Sequence, residues 1–324
     1  MPNSLPPYVA GNDSVSSAEP NASQRILVLG ASGFIGQHVC AALQSRGVEH
    51  LKVTRTPRPG FDAAVDLACA PLSELNEILR SFAPTAVINC SGAVRGSTAD
   101  LMRGNVVGTH SLLLGLSSSA PRARLVQLGS SAEYGSSEGE TPMNEETPTQ
   151  PNSPYGYTKL AASELVLHAR DQGLDAIVLR MFNISGPQSP TSTMLGSLIE
   201  QLRNAPDSPT ITLDSLAGWR DYLDVRDVAA AACTAALLDE VPPVANIGRG
   251  EAVQTGDWVR QLIDLSGTGA QLEERQGTAN THKASAGAVA WQCADIGLAE
   301  KRLGWTPTIP LSVSLRDTWL AATS

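Results

Sequence analysis

Short apolar runs and longer amphipathic segments alternate through the first half of this chain. The runs fall at residues 26–29, 50–54, 86–90, 124–128 and 176–179, with a shorter stretch ending in Asp66-Leu67. Runs of this length without polar alternation predict strands buried on both faces, as in parallel sheets. Between them, apolar residues at helical spacing predict helices over 37–46, 73–82, 100–119 and 153–172. Ser73 is the expected N-cap of the second helix. Ser153 caps the fourth, with Pro154 in its first turn and Gly173 ending it. At least five strand–helix alternations imply an α/β fold: a parallel sheet with helices on both faces. From about residue 188 the rhythm becomes irregular. Helices are expected at 192–204, 225–239, 255–265, 296–303 and 311–321, and strands at 210–213 and 244–247. The expected division is a mobile tail over 1–24, a dinucleotide-binding unit over 25–187 joined by parts of 210–250, and a mainly substrate-binding lobe over 188–324. No internal repeat is visible.

Composition narrows the picture. The 324 residues are 42% hydrophobic but only 4% aromatic, so Ala, Val and Leu must fill most of the core. A net charge of −9 with no basic stripe argues against nucleic acid as a partner. No stretch approaches the ~20 apolar residues of a membrane span, and the first 24 residues lack the pattern of a signal peptide. Cys40, Cys69, Cys90, Cys233 and Cys293 are scattered and contain no C-x-x-C. They read as reduced, buried thiols of a cytoplasmic protein. The five histidines show no metal-ligand spacing, and no metal site is expected.

The first strand runs directly into Gly30, Gly33 and Gly36, and a helix follows. Strand, glycine turn and helix N-terminus together bind phosphate, because free N–H groups and the helix dipole favour an anion. Gly30 permits the turn, Gly33 lets backbone approach a pyrophosphate, and Gly36 lets the helix lie close to the sheet. Ser32, Phe34 and Ile35 belong to the same turn. At the end of the second strand an acidic residue would select a ribose 2′-hydroxyl. Here stand Thr54, Arg55, Thr56 and Arg58. Their guanidinium and hydroxyl groups suit a 2′-phosphate and favour NADP(H) over NAD(H); as solvated loop charges they would carry no such meaning. Asp66 and Leu67 are candidates for the adenine site. Ser91, Gly92 and Ala93 are small enough to let a ribose pass over a strand end, and Leu128 ends another strand. Asn105, inside an apolar helix, has a hydrogen-bonding task.

Tyr155 and Lys159 lie one turn apart on one helix face. An ammonium beside a phenol favours the phenolate and brings it toward neutral pH. Lys159 also has donors for ribose hydroxyls. Ser130, at a strand end, supplies a hydroxyl for a substrate carbonyl. Such a Tyr-x-x-x-Lys pair arises by chance on many helices; its place after a phosphate-binding turn and a Ser-Ser strand end is what gives it meaning.

With these residues the chain resembles the extended short-chain dehydrogenase/reductase family, in the branch acting on nucleotide-diphosphate sugars. The likeness extends over roughly 25–320. It rests on the three glycines, Asp66-Leu67, Asn105, Ser130, Tyr155 and Lys159. It rests also on Arg180-Met181-Phe182-Asn183 with Gly186-Pro187, on the segment from Arg220 to Val228, on Asn246-Ile247-Gly248 and on Leu303 to Pro307. The resemblance implies a Rossmann-type doubly wound sheet with a smaller mixed C-terminal lobe. It also implies a homodimer built through two helices per subunit. It implies that Asn183 and Arg220 bind the substrate diphosphate, which a guanidinium fork matches, unless Arg220 pairs with Asp221 or Asp224. Arg275 or Lys283 would supply a second basic group. Ser130 rather than Ser131 has the family spacing to Tyr134, leaving Ser131 to the substrate.

Within that branch, 4,6-dehydratases carry an acidic pair directly after the catalytic hydroxyl. Ser131 and Ala132 stand there and can move no proton. Epimerising reductases use a Cys and a His near the sugar, and no cysteine adjoins Ser130. A ketoreductase and a 4-epimerase remain, with a silent dinucleotide-sensing protein as the reading of another class. Arg55 and Arg58 favour the ketoreductase, and residues 289–296 resemble reductases of nucleotide-linked 4-keto-6-deoxyhexoses.

Overall fold

The computed structural model describes residues 24–137, 139–204, 210–213, 216–274 and 290–323. In chain order its elements begin β1 (Arg25–Leu29), α1 (Phe34–Ser45), β2 (Glu49–Thr54), β3 (Ala63–Ala64), α2 (Leu72–Phe82), β4 (Ala86–Asn89), α3 (Thr98–Leu101), a π-helical turn (Met102–Val107) and α4 (Gly108–Ser119). Then follow β5 (Arg124–Ser130), a 3₁₀ turn (Ser131–Glu133), α5 (Pro154–Asp171), β6 (Ala176–Met181), β7 (Asn183–Ser185), α6 (Met194–Asn204), β8 (Thr210–Leu213), β9 (Trp219–Asp224) and α7 (Val225–Leu237). The chain closes with β10 (Val244–Ile247), β11 (Ala252–Gln254), α8 (Thr255–Ser266), β12 (Gln271–Glu274), β13 (Trp291–Gln292), α9 (Gly297–Leu303) and α10 (Leu311–Thr323).

Seven strands form one parallel sheet in the order β10-β6-β5-β4-β1-β2-β3. Alternation along each strand divides the core. Ile26, Val28, Ile88 and Val126 face one side, where the alanines of α7 pack closely on the sheet. Leu27, Leu29, Val87 and Leu125 face the other, against Leu75 and Leu79 of α2 and Leu112 and Leu116 of α4. Strand order reverses between β1 and β4, and ligands of such sheets bind outside the strand ends at that point.

The C-terminal half makes a smaller mixed sheet, β11-β9-β13, with β7 also paired to β9. β8 and β12 form a separate parallel pair. A third core joins α6, α8 and α10 through Leu198, Ile199, Leu262 and Leu315.

Several boundaries differ from the sequence expectation, for physical reasons. α2 starts at Leu72 after Pro71, and Ser73 does not cap it. The helix expected over 100–119 starts earlier, at a Ser97–Asp100 capping box, and contains the π turn. The third strand is only Ala63–Ala64, which leaves Asp66 and Leu67 beyond its end. β9 was not anticipated, because Asp221 and Asp224 do not look like core residues. Both are buried: Asp221 accepts the backbone N–H groups of Arg249, Gly250 and Ala294, and Asp224 pairs with Arg226. Residues 1–23, Arg275 and Lys283 lie outside the described residues.

Candidate active site

Gly30 turns the chain out of β1 with φ +71°, and a Cβ there would meet the backbone of Cys90 and Ser91 at 2.8 Å. A Cβ on Gly36 would lie 2.2 Å from the Gly30 carbonyl oxygen, so α1 packs against the turn only because that Cβ is missing. Gly33 caps α1 without any side chain covering its first N–H groups. Phe34 and Ile35 form the first turn of α1: Phe34 sits edge-on to His38, and Ile35 packs on the core.

Above this turn opens a cleft of about 580 Å³. Gly30, Ser32 and Gly33 line one wall; Arg55, Arg58, Asp66 and Leu67 line a second; Ser91, Gly92 and Ala93 a third. Both arginines are exposed. Thr54 and Thr56 line the same wall; Thr54 is buried, and its hydroxyl donates to the Thr56 carbonyl at 2.7 Å. Asn105 is held at both ends of its amide. It accepts from Ala93 N at 2.8 Å and donates to Ala93 O and Thr158 Oγ1, each at 2.9 Å. Its role is thus to fix the Ala93 wall. Arg95 and Arg103 also line the cleft; no local pattern marks either of them. The glycine cradle, the uncapped helix and a cleft of this size fit a dinucleotide.

β5 ends in the reactive group. Ser130 caps the 3₁₀ turn, with its Oγ accepting from Ala132 N at 3.2 Å, and its hydroxyl lies close enough to the Tyr155 phenol to lower it. Tyr155 is held near the cleft wall through α5: Thr158 donates to the Tyr155 carbonyl at 2.9 Å while accepting from Asn105. Lys159 is buried, and its Nζ donates to the Leu128 carbonyl at 2.5 Å. The expected depression of Tyr155 by Lys159 is not what this structure gives. Burial pushes the phenol above its usual value, the Glu133 charge adds to that, and the Ser130 hydroxyl opposes it. Burial lowers Lys159, against the pull of Glu133. The phenol of Tyr155 therefore keeps its proton to higher pH than a free tyrosine.

Glu133 is fully buried. It accepts from Ser130 N at 2.8 Å, Ser163 Oγ at 2.9 Å and Arg180 Nε at 2.9 Å. Arg180 lies over the Tyr134 ring and donates to its hydroxyl at 3.1 Å; that hydroxyl donates to Asn246 at 2.8 Å.

A second cleft, about 620 Å³, is lined by Asn183, Met194, Arg220, Tyr222 and Trp258 among others. Arg220 pairs with neither nearby carboxylate; it donates to the Trp219 carbonyl at 2.7 Å. Asn183 donates to the Asp221 carbonyl at 3.2 Å and to Gln292 at 3.4 Å. Ser131 is buried and donates to the same Gln292 oxygen at 3.2 Å. Gln292, 161 residues from Ser131 and 109 from Asn183, thus ties the two together, a link no local signal announces. Of the thiols, Cys69 is exposed, contrary to expectation, and Cys90 is half-buried; both line the first cleft. Cys293 follows Gln292, but its thiol faces Asp221 at 3.9 Å, and burial pushes it up to about 12.

A doubly wound sheet with a glycine-floored cleft, a Ser-Tyr-Lys set at its edge and a basic second cleft defines a dinucleotide-dependent enzyme of the extended short-chain dehydrogenase/reductase type. The chain belongs to the NAD dependent epimerase/dehydratase family, whose model matches residues 26–248. It is 34% identical to a dTDP-6-deoxy-L-talose 4-dehydrogenase (NAD(P)(+)) of Kitasatospora kifunensis, over 94% of this chain and 98% of that protein. It is 28% identical to a GDP-6-deoxy-D-mannose reductase of Pseudomonas aeruginosa, over 91% of this chain and 95% of that one. The solved structure of MoeE5 in complex with UDP-glucose and NAD superposes with a TM-score of 0.77 at 28% identity, covering 92% of this chain and 98% of the other. Among the described residues no helix is long and apolar enough to cross a membrane.

Proposed function

We propose that this enzyme uses NADPH to reduce the 4-keto group of a nucleotide-diphosphate 6-deoxyhexose, with dTDP as the carrier. The observation that carries the reading is the placement of Ser130, at the end of β5, beside the Tyr155 phenol, with Lys159 anchored one helical turn away. Gly30, Ser32 and Gly33 hold the pyrophosphate of the cofactor, Asp66 and Leu67 its adenine, and Ser91 to Ala93 its ribose. Bound NADPH supplies a hydride. Ser130 orients the carbonyl oxygen, Tyr155 gives that oxygen a proton as charge develops, and Lys159 contacts the ribose and assists Tyr155. Arg220 and Asn183 grip the diphosphate, beside Ser131 and Gln292. Similarity over nearly all the chain to a 4-dehydrogenase of a dTDP-6-deoxyhexose supports the substrate class.

NADP preference rests on Arg55 and Arg58, exposed on the cleft wall where a 2′-phosphate would lie. Homodimerisation rests on Met102, Val107 and Leu114 of the α3–α4 stretch and Tyr157 of α5, all exposed on adjoining helices. Five free thiols accord with a cytoplasmic setting.

The deciding experiment incubates the purified protein with dTDP-4-keto-6-deoxyhexoses and follows NADPH absorbance, with NADH in parallel. Oxidation of NADPH is expected, faster than of NADH. Interconversion of UDP-hexoses without added cofactor would replace this reading with 4-epimerisation.

A further inference from the structure

Beneath the reacting hydroxyls lies a carboxylate that the mechanism above does not use. Glu133 closes a capping box: Ser130 Oγ covers the start of the 3₁₀ turn, and the Glu133 carboxylate returns to Ser130 N at 2.8 Å. A capping box needs only an acceptor, which an amide would provide. A charge at a fully buried site requires more explanation, because burying it is costly.

Arg180 pairs with it, yet the guanidinium is directed elsewhere. It spreads over the Tyr134 ring, 4.7 Å from its centre, and donates to the Tyr134 hydroxyl. Tyr134, Asn246 and the Met143 carbonyl extend this chain of hydrogen bonds away from Ser130, and Glu145 accepts from Asn246 N. The other carboxylate oxygen, by contrast, holds Ser130 N and Ser163 of α5. The elements packed against α5 carry other ionisable groups: Asp100, Arg103 and His110 on the α3–α4 stretch, Arg124 on β5 and Arg180 on β6. Lys159 lies on α5 itself. Asp100 is held by Ser97 and Arg103, and Arg124 by Asp175. The Glu133 charge raises Tyr155, and it also helps Lys159 keep its proton.

We propose that Glu133 is a positioning residue for proton transfer, fixing Ser130 through its backbone N–H and bracing α5, the helix of Tyr155, through Ser163. The proposal rests on the roles assigned above to Ser130, Tyr155 and Lys159. In reduction the Tyr155 O–H bond breaks and an O–H bond forms on the sugar oxygen, whose electron pair is released as hydride adds to carbon. The tyrosinate then regains a proton from solvent. A sugar alkoxide is a far stronger base than a phenolate, so a raised phenol still gives up its proton. Its gain is that the donor survives to higher pH. Reduction is lost as pH rises through the Tyr155 value; a nearby negative charge moves that loss upward.

The test compares wild type, Glu133→Gln, Glu133→Asp and Arg180→Gln, each full-length. Two readouts are taken: the pH profile of NADPH oxidation with a dTDP-4-keto-6-deoxyhexose, and ultraviolet titration of tyrosinate with Tyr155→Phe as the blank. Glu133→Gln is expected to move the alkaline limb and the Tyr155 titration to lower pH, with kcat down roughly 10- to 100-fold as Ser130 loosens. Glu133→Asp keeps the charge, and its limb stays near that of wild type. Arg180→Gln removes the cation and leaves the carboxylate, so the limb moves the opposite way. Lower rates with an unmoved titration, or the same displacement in Glu133→Gln and Arg180→Gln, would overturn the proposal. So would failure of both variants to fold, which would make the pair a support of the fold alone. The titration needs no substrate, so a wild type that reduces no keto sugar refutes the proposed reaction while the role of Glu133 is still decided.

Discussion

The two clefts are built by opposite means. The first is mostly backbone: a glycine turn, a helix start and small residues at strand ends, all from elements adjacent in one sheet. The second is mostly side chains, brought from β7, α6, β9, α8 and the segment around β13. Backbone can cradle a ligand part that never varies, such as a pyrophosphate. Side chains from scattered segments can shape a site for a part that does. Ser130, Tyr155 and Lys159 stand between them, tied to the first through Thr158, Asn105 and Ala93 and to the second through Ser131, Gln292 and Asn183. If that division is right, damage to these three should halt chemistry, damage to the second cleft should weaken substrate alone, and damage to the first should reach the fold.

The largest effect is expected at these three residues. Tyr155→Phe keeps the ring and removes the proton donor. Its kcat for reduction should fall by about 10²- to 10⁴-fold, while NADPH binding, followed by nucleotide fluorescence, stays close to wild type. A variant with wild-type kcat would remove Tyr155 as the proton donor and place that role on another group.

Arg220→Ala tests the second cleft. A charged hydrogen bond is worth about 1.5–3 kcal/mol, so KM for the nucleotide sugar should rise about 10- to 100-fold with kcat and NADPH affinity little changed. Arg220→Lys should recover only part of this, because an ammonium lacks the planar fork. Equal losses in cofactor and sugar binding would mean that the clefts are not separate.

Gly36→Val tests the first. The added carbon would sit 2.2 Å from the Gly30 carbonyl oxygen, a backbone atom that cannot swing aside. Overpacking of this kind costs about 1–3 kcal/mol. Here the thermal midpoint should fall together with NADPH affinity, whereas Arg220→Ala should leave the midpoint unchanged.

The same contrast explains what the sequence could reveal. The first cleft was legible because each part is local: an apolar run, then glycines three apart, then a helix. Tyr155 and Lys159 were legible because helix geometry alone puts them together. The central sheet followed from buried runs such as 86–89. In the other half, β9 was missed because its aspartates are buried with backbone partners that only the fold supplies. Gln292 and Glu133 were missed for the same reason, since each matters through residues tens or hundreds of positions away. The direction of the Tyr155 shift was misjudged because spacing shows which groups are neighbours, not how deeply they are buried.

The smallest effect separates local reading from folded fact on two helices that looked alike in sequence. Both α2 and α5 present a serine near their start. Ser153 does cap α5: its Oγ accepts from Gly156 N at 3.1 Å, and Pro154 fills the first position. Ser73 lies inside α2, after Pro71, and caps nothing. Ser153→Ala should therefore cost about 1 kcal/mol, and Ser73→Ala should stay within about 0.5 kcal/mol of wild type, both read from urea midpoints. The first change should also touch chemistry. Tyr155 is only two residues past the cap, so a frayed first turn lets its hydroxyl move away from Ser130. A lower kcat in Ser153→Ala than in Ser73→Ala, with equal KM for the sugar, would show that the start of α5 holds the proton donor in place and the second cleft does not.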